Sequence, residues 1–405
     1  MGMDELAADG LQEVVDRGGL AGAVTALWRD GRVVQRAAVG WRDREAGEAM
    51  RPDAIFRIAS MSKPVASVAA LQLLEEGAFE LDDPVMRWAP ELGSMRVART
   101  LADPLDTVPA HRPITMGDLL THRSGLTYGA FHPGPLEAIY REALGAEIDS
   151  VRDPDAWIAG LAGVPLVDQP GSTLHYGHST DLLGFLLARM EDAPLPDVLR
   201  ARVFDRLGMS DTGFVVPAER HPRRAVQYGF DAGGALTPLQ VAPGQATLAE
   251  RPTDLPYASA GQGLWSTVDD YLTFARIFLG DASVDGVRLL RPQTLARLRT
   301  NVLTPAQRLS AEVGGMPLFA EGHGFGLGLA VVLEPDLAAP TICRGAPGTV
   351  GWPGAYGGWW QADPVAGTAM VFLTHSMIER DQLADGIGME VYGAIELVHE
   401  LFTEG

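Results

Sequence analysis

Phe56-Arg57-Ile58-Ala59-Ser60-Met61-Ser62-Lys63-Pro64, continuing into Val65-Ala66-Ser67-Val68-Ala69-Ala70-Leu71, is the segment from which the rest of the chain is best read. Proline has no N–H, so Pro64 sits without loss in a helix only within about its first turn, where the leading N–H groups are unpaired anyway. A helix running through Leu71, Leu73 and Leu74 to a stop at Gly77 must therefore begin close to Ser60. There the serine oxygen meets the positive end of the helix dipole, which favours developing negative charge. Lys63 follows three residues later on the same helical face, within reach of the hydroxyl. The plain alternatives are a capping serine and a solvated helix charge.

Lys63 is the only lysine among 32 basic residues, the others all being arginine. Codon bias explains arginine dominance but not the exception. Lysine can give up its proton at accessible pH and guanidinium cannot, so a site that needs a neutral amine excludes arginine. The Ser-x-x-Lys spacing alone is a moderate signal, because 14 serines in 405 positions put one at a given offset about once in thirty by chance.

Outward from this helix, residues 20–40 read as a hairpin, with Asp30-Gly31 turning between two strand-like runs. The middle of the chain is rich in Pro and Gly, with helical periods at 116–120, 154–161 and 179–191. Near the end, HGFGLGLAVVLE and GWWQADPVAGTAMVFLTHS read as antiparallel strands, followed by a helix over about 382–402. Strands at both ends with helices between them predict an α/β plus all-α fold rather than alternating βαβ units. The expected parts are an α/β domain from 1–80 and 250–405, with its sheet built from both termini, and a mainly helical domain at 81–249. A cleft between them is the default place for a site.

Two further segments carry candidate chemistry. Pro170-Gly171-Ser172-Thr173-Leu174-His175-Tyr176 holds a phenol, which serves as a base near neutrality only if a cation such as a nearby ammonium stabilises its anion. Its plain reading is a packed loop aromatic. Gly348-Thr349-Val350-Gly351-Trp352-Pro353-Gly354-Ala355-Tyr356-Gly357-Gly358 brings backbone close to whatever lies beside it, as an oxyanion hole requires, or is simply a tight turn with aromatics.

Composition excludes other classes. The formal charge of −20 and the lack of a basic stripe argue against nucleic-acid binding; Arg220, Arg223 and Arg224 form the densest group, as an exposed loop would. One cysteine, Cys343, allows no internal disulfide and fits a reducing compartment. Five acidic and no basic side chains within 1–16 are unlike a secretory signal, and no run of about 18 apolar residues predicts a membrane span. The expected location is cytoplasmic. His175 and His178 have no evident carboxylate partner, and His399-Glu400 lacks a second histidine, so no metal and no cofactor is expected. The near-elbows Gly177-His178-Ser179 and Gly208-Met209-Ser210 lack the closing glycine of a G-x-S-x-G nucleophile.

In their order along the chain, these segments resemble the class C β-lactamase-like, or penicillin-binding-protein-like, serine hydrolases, and within them the family VIII carboxylesterases. The matching strings are 56–64, Ile114-Thr115-Met116-Gly117-Asp118-Leu119-Leu120-Thr121-His122-Arg123-Ser124-Gly125-Leu126, 170–176, Ala260-Gly261-Gln262-Gly263-Leu264-Trp265-Ser266-Thr267 and Trp352-Pro353-Gly354. The resemblance implies a β-lactamase/transpeptidase-like fold and a Ser60 nucleophile. It makes Lys63 a proton acceptor or electrostatic activator and Tyr176 the general base and then acid, without deciding which of the two takes the serine proton. Backbone N–H groups of Ser60 and Ala355 would bind the oxyanion, and acylation followed by hydrolysis is the implied route. Trp352, Gly354, His178, Tyr128 and Gln262 are the expected substrate contacts.

Two departures bear on substrate. The β-lactamases carry Asn where this chain has His178 and Lys-Thr-Gly where it has Trp352-Pro353-Gly354. The missing lysine removes a cation that would grip a β-lactam carboxylate, and tryptophan offers an apolar wall. The expected substrate is a small to medium acyl ester, with some β-lactam cleavage as a side activity. Amide or peptide cleavage, as in D-amino-acid amidases, and acyl transfer use the same residues, while a catalytically silent binding protein is the reading from another class. The segments 126–150 and 237–256, with Tyr128, Phe131, Tyr140 and Tyr257, are expected to line the pocket as loops.

Overall fold

A computed structural model describes residues 3–146, 150–239, 256–313, 315–379, 382–383 and 385–403. Two strands, β1 (Gly22–Arg29) and β2 (Arg32–Asp43), form the expected hairpin, and Asp30 and Gly31 both take positive φ, as a two-residue turn matching strand twist requires. On the other side of β1 lies Thr368–Thr374 from the end of the chain, antiparallel, with Ala23 opposite Thr374 and Trp28 opposite Ala369. The full sheet has eight strands in the order His323–Phe325, Ala330–Val332, Val350–Gly351, Trp359–Asp363, Thr368–Thr374, β1, β2 and Glu48–Ala49. Both chain ends thus meet at the centre of one sheet.

The period of two along a strand decides what each face carries. Val24 and Ala26 of β1, with Val371 and Leu373 beside them, pack into one core, while Ala23, Leu27, Met370 and Phe372 pack into another. The second is roofed by α1 (Met3–Asp16) and the C-terminal helix Glu390–Thr403. That last helix begins later than its apolar run suggests, because Gly386 and Gly388 hold positive φ and interrupt it.

The first core surrounds α2 (Ser62–Glu75), in which every side chain from Ser62 to Leu73 is buried. The insertion contributes α3 (Met116–Leu120), α4 (Pro135–Leu144), α5 (Pro154–Leu161) and α6 (Ser179–Glu191), and its Leu136, Trp157 and Leu182 join that same core. The expected boundary at 249/250 lies outside the described residues. Residues 126–150 are not a plain loop, since α4 occupies their middle. Arg223 is not free in an exposed loop either: it forks onto Asp211 at 2.8 Å twice. Among the described residues no helix is long and apolar enough to cross a membrane.

Candidate active site

The nucleophile candidate is carried by a bend. The short strand Phe56–Arg57 pairs with Trp265–Ser266, after which Ala59 takes φ +44° and swings the chain into one 3-10 turn, Ala59–Met61, leading into α2. A left-handed alanine costs about 1 kcal/mol or more and persists only where packing over-determines it. Ser60 makes no cap to the helix; Pro64 is the third residue of α2, where its missing N–H is not needed.

Lys63 is 1% exposed and surrounded by oxygen. Its Nζ donates to the Gly261 carbonyl at 2.8 Å, the Tyr128 hydroxyl at 3.2 Å and Ser60 Oγ at 3.4 Å. The amine thus has three oxygens within hydrogen-bonding distance, one of them the Ser60 hydroxyl. The pairing of Phe56–Arg57 with Trp265–Ser266 brings the 259–264 segment alongside α2, and the Leu264 N–H donates to Ser62 Oγ.

Tyr176 faces the same amine with its ring, whose centroid is 4.4 Å from Nζ. Its hydroxyl accepts from Trp352 Nε1 at 3.2 Å, and Phe131 and His122 flank the ring. Burial, then the Lys63 cation, pushes the His122 imidazole down to about 3, so it is a neutral wall at ordinary pH.

Gly354 is glycine for space: a Cβ there would lie 2.6 Å from the Ile58 carbonyl oxygen. This close approach sets the Gly354–Ala355 turn against the bend that carries Ser60. Among the described residues, neither the Ser60 nor the Ala355 backbone N–H donates a hydrogen bond. Ser60, Ala355, Gly354, Gln262, Tyr128, Tyr176 and Trp352 line one cavity of about 560 Å³. Gln262 Nε2 is buried there without a partner among the described residues. Val313, Met316, Leu318, Ile378, Val391 and Ile395 add apolar lining to the same cavity.

His178 departs from expectation. It is not at the cavity wall but 1% exposed behind it, stacked on Tyr140 and bonded through Nδ1 to Asp181 at 3.0 Å. An i, i+3 pair at the start of a helix puts both groups on one inward face, so the histidine is paired with a carboxylate, as His175 is with Asp168 at 3.4 Å. Tyr140 and Tyr257 are likewise fully buried in packing, and residues 240–255 of the second expected pocket loop lie outside the described set. Sequence reasoning also passed over Asp181 and Ser259 and gave the Gly261 carbonyl no role; the one available signal was the His178 to Asp181 spacing.

Fold and site together define a serine hydrolase of the β-lactamase type. The chain belongs to the Beta-lactamase family, whose profile matches residues 7–391. Among its relatives, an uncharacterized protein of Mycobacterium tuberculosis (strain CDC 1551 / Oshkosh) is 44% identical, over 90% of this chain and 88% of the relative. Esterase EstB of Burkholderia gladioli is 34% identical, over 89% of this chain and 87% of its own length. Among solved structures, EstCE1, described as a hydrolase with promiscuous acyltransferase activity, superposes with a TM-score of 0.78 at 27% identity, covering 97% of this chain and 98% of that one.

Proposed function

We propose that this chain is a carboxylesterase acting on neutral esters of small to medium acyl groups through a Ser60 acyl-enzyme. The observation that carries this reading is the Lys63 amine 3.4 Å from Ser60 Oγ at the edge of a cavity walled by aromatic and aliphatic side chains. Ser60 Oγ attacks the ester carbonyl as Lys63 and Tyr176 between them accept its proton, and the same pair returns a proton to the leaving alcohol. The N–H groups of Ser60 and Ala355 take the oxyanion. Water then repeats the sequence on the acyl-enzyme and releases the acid.

The lining favours uncharged substrates. Glu137 and Glu379 stand among its residues, and among those described no Arg or Lys does, so the described wall offers a β-lactam carboxylate no countercharge. The similarity to EstB supports ester cleavage, and that to EstCE1 supports acyl transfer to an acceptor other than water as a second outcome of the same acyl-enzyme. Buried Cys343, the only cysteine, fits the proposed cytoplasmic location.

A panel of p-nitrophenyl esters, nitrocefin and D-alanyl amides tests the reading. Turnover is expected on acetate to hexanoate esters, with nitrocefin slower by roughly 10²-fold or more, and a fluorophosphonate should add one adduct at Ser60 by intact mass. Turnover of amides alone would overturn the esterase assignment, and absence of the adduct would favour a silent binding protein.

A further inference from the structure

Behind the Lys63 amine lies a carboxylate to which the mechanism above gives no task. Asp181, in the first turn of α6, is completely buried. Its Oδ1 accepts from Ser259 Oγ at 2.6 Å and from the Gly261 N–H at 3.0 Å, and its Oδ2 accepts from His178 Nδ1 at 3.0 Å. The carbonyl of the same Gly261 accepts from Lys63 Nζ at 2.8 Å. One residue therefore joins the buried anion to the buried amine. Only glycine permits this approach comfortably, since a Cβ at 261 would stand 3.0 Å from both Asp181 Oδ1 and the Tyr128 hydroxyl.

A second branch runs through His178. Its Nε2 is buried with no partner among the described residues, and its ring meets Tyr128 edge-on at 4.6 Å between Tyr140 and Trp157. The imidazole thus buttresses the phenol whose oxygen is 3.2 Å from Lys63 Nζ. A lone buried carboxylate is costly, and one partner removed from such a set leaves the others uncompensated. Here burial alone would push the Asp181 carboxyl up, but His178, Lys63 and Ser259 outweigh it and hold it below its ordinary value.

We propose that Asp181 is a positioning residue for the hydrolytic chemistry: through Gly261 it holds the Lys63 amine against Ser60, and through His178 it holds Tyr128. This rests on the roles given above to Ser60 and Lys63.

Asp181→Asn keeps the shape and an acceptor oxygen but removes the charge. The expected result is a loss in kcat for p-nitrophenyl butyrate of roughly 10²-fold with KM within about threefold, and a parallel fall in the rate of Ser60 labelling by fluorophosphonate. Lys63, His122, His178, Tyr128 and Tyr140 surround the carboxylate or its histidine, and Tyr176 faces Lys63 beyond them. Losing a buried anion disfavours every protonated neighbour, so the kcat/KM profile should also move to lower pH, which a merely structural role would not produce. A folded Asp181→Asn enzyme with unchanged kcat, labelling rate and pH profile would overturn the proposal. Should that variant not fold, Ser259→Ala removes one hydrogen bond from the same carboxylate; a drop of about fivefold in the labelling rate is expected, and an unchanged rate counts against the proposal. If the wild type labels at Ser60 but cleaves no ester, the esterase reading fails while the labelling rates still decide the role of Asp181.

Discussion

At the scale of single residues, Lys63 is the position where side-chain identity most narrows what a group can do. A lone lysine in an arginine-rich chain marks a position where the guanidinium is unsuitable, and Lys63 is held among three acceptors with almost no solvent contact. Lys63→Arg should leave the circular dichroism spectrum native and lower p-nitrophenyl butyrate hydrolysis by roughly 10³-fold; near-normal turnover would return Lys63 to codon bias. Tyr176→Phe keeps the ring beside the Lys63 amine and deletes only the hydroxyl that Trp352 Nε1 contacts. Its kcat should fall by roughly 10²-fold or more while KM changes little, measured under steady-state conditions. His178 was misread for a reason of the opposite kind. Nothing in its identity says whether a loop histidine faces the cleft or the core, and the answer lies in the packing of Tyr140, Trp157 and Asp181 around it.

At the scale of elements, Pro64 and the Asp30-Gly31 turn placed the helix start and the hairpin within a residue or two, because both rest on local backbone rules. The left-handed Ala59 was not legible, since alanine has no preference for that conformation; pairing of Phe56–Arg57 with Trp265–Ser266 imposes it. The Gly354 turn is equally a tertiary matter, being set by the Ile58 carbonyl across the site. Gly354→Ala should therefore shift Ala355 relative to Ser60 and cut kcat by about 10- to 100-fold, with a midpoint of urea unfolding that falls only slightly. A variant with full activity would show that the Ala355 N–H has no part in the oxyanion site.

At the scale of the molecule, stability should decline in mild acid. His122 and His375 are buried neutral: burial, then Lys63 for the first and Arg57 for the second, pushes each down to about 3. The unfolded chain binds those protons from near pH 6.5, so each contributes stability at neutral pH that is lost as pH falls from 6.5 toward 3, at about 1.4 kcal/mol per unit. Asp270 works the other way: burial raises it to about 6, so its share is present below 3.8 and is lost as pH rises through 6. Two groups outweigh one, and urea unfolding at pH 7.5, 6 and 5 should show a net decline. His375→Gln should reduce that decline and Asp270→Asn should steepen it. A serine at a helix start, an amine one turn on and apolar strands at both ends can be read along the chain, because dipoles, proton affinities and period-two burial act over a few residues. Which polar groups face the cavity and which lie behind it follows from contacts between distant parts of the chain. Gly261 joins Asp181 to Lys63 across 80 and 198 residues of chain, and such contacts are created by packing rather than by spacing.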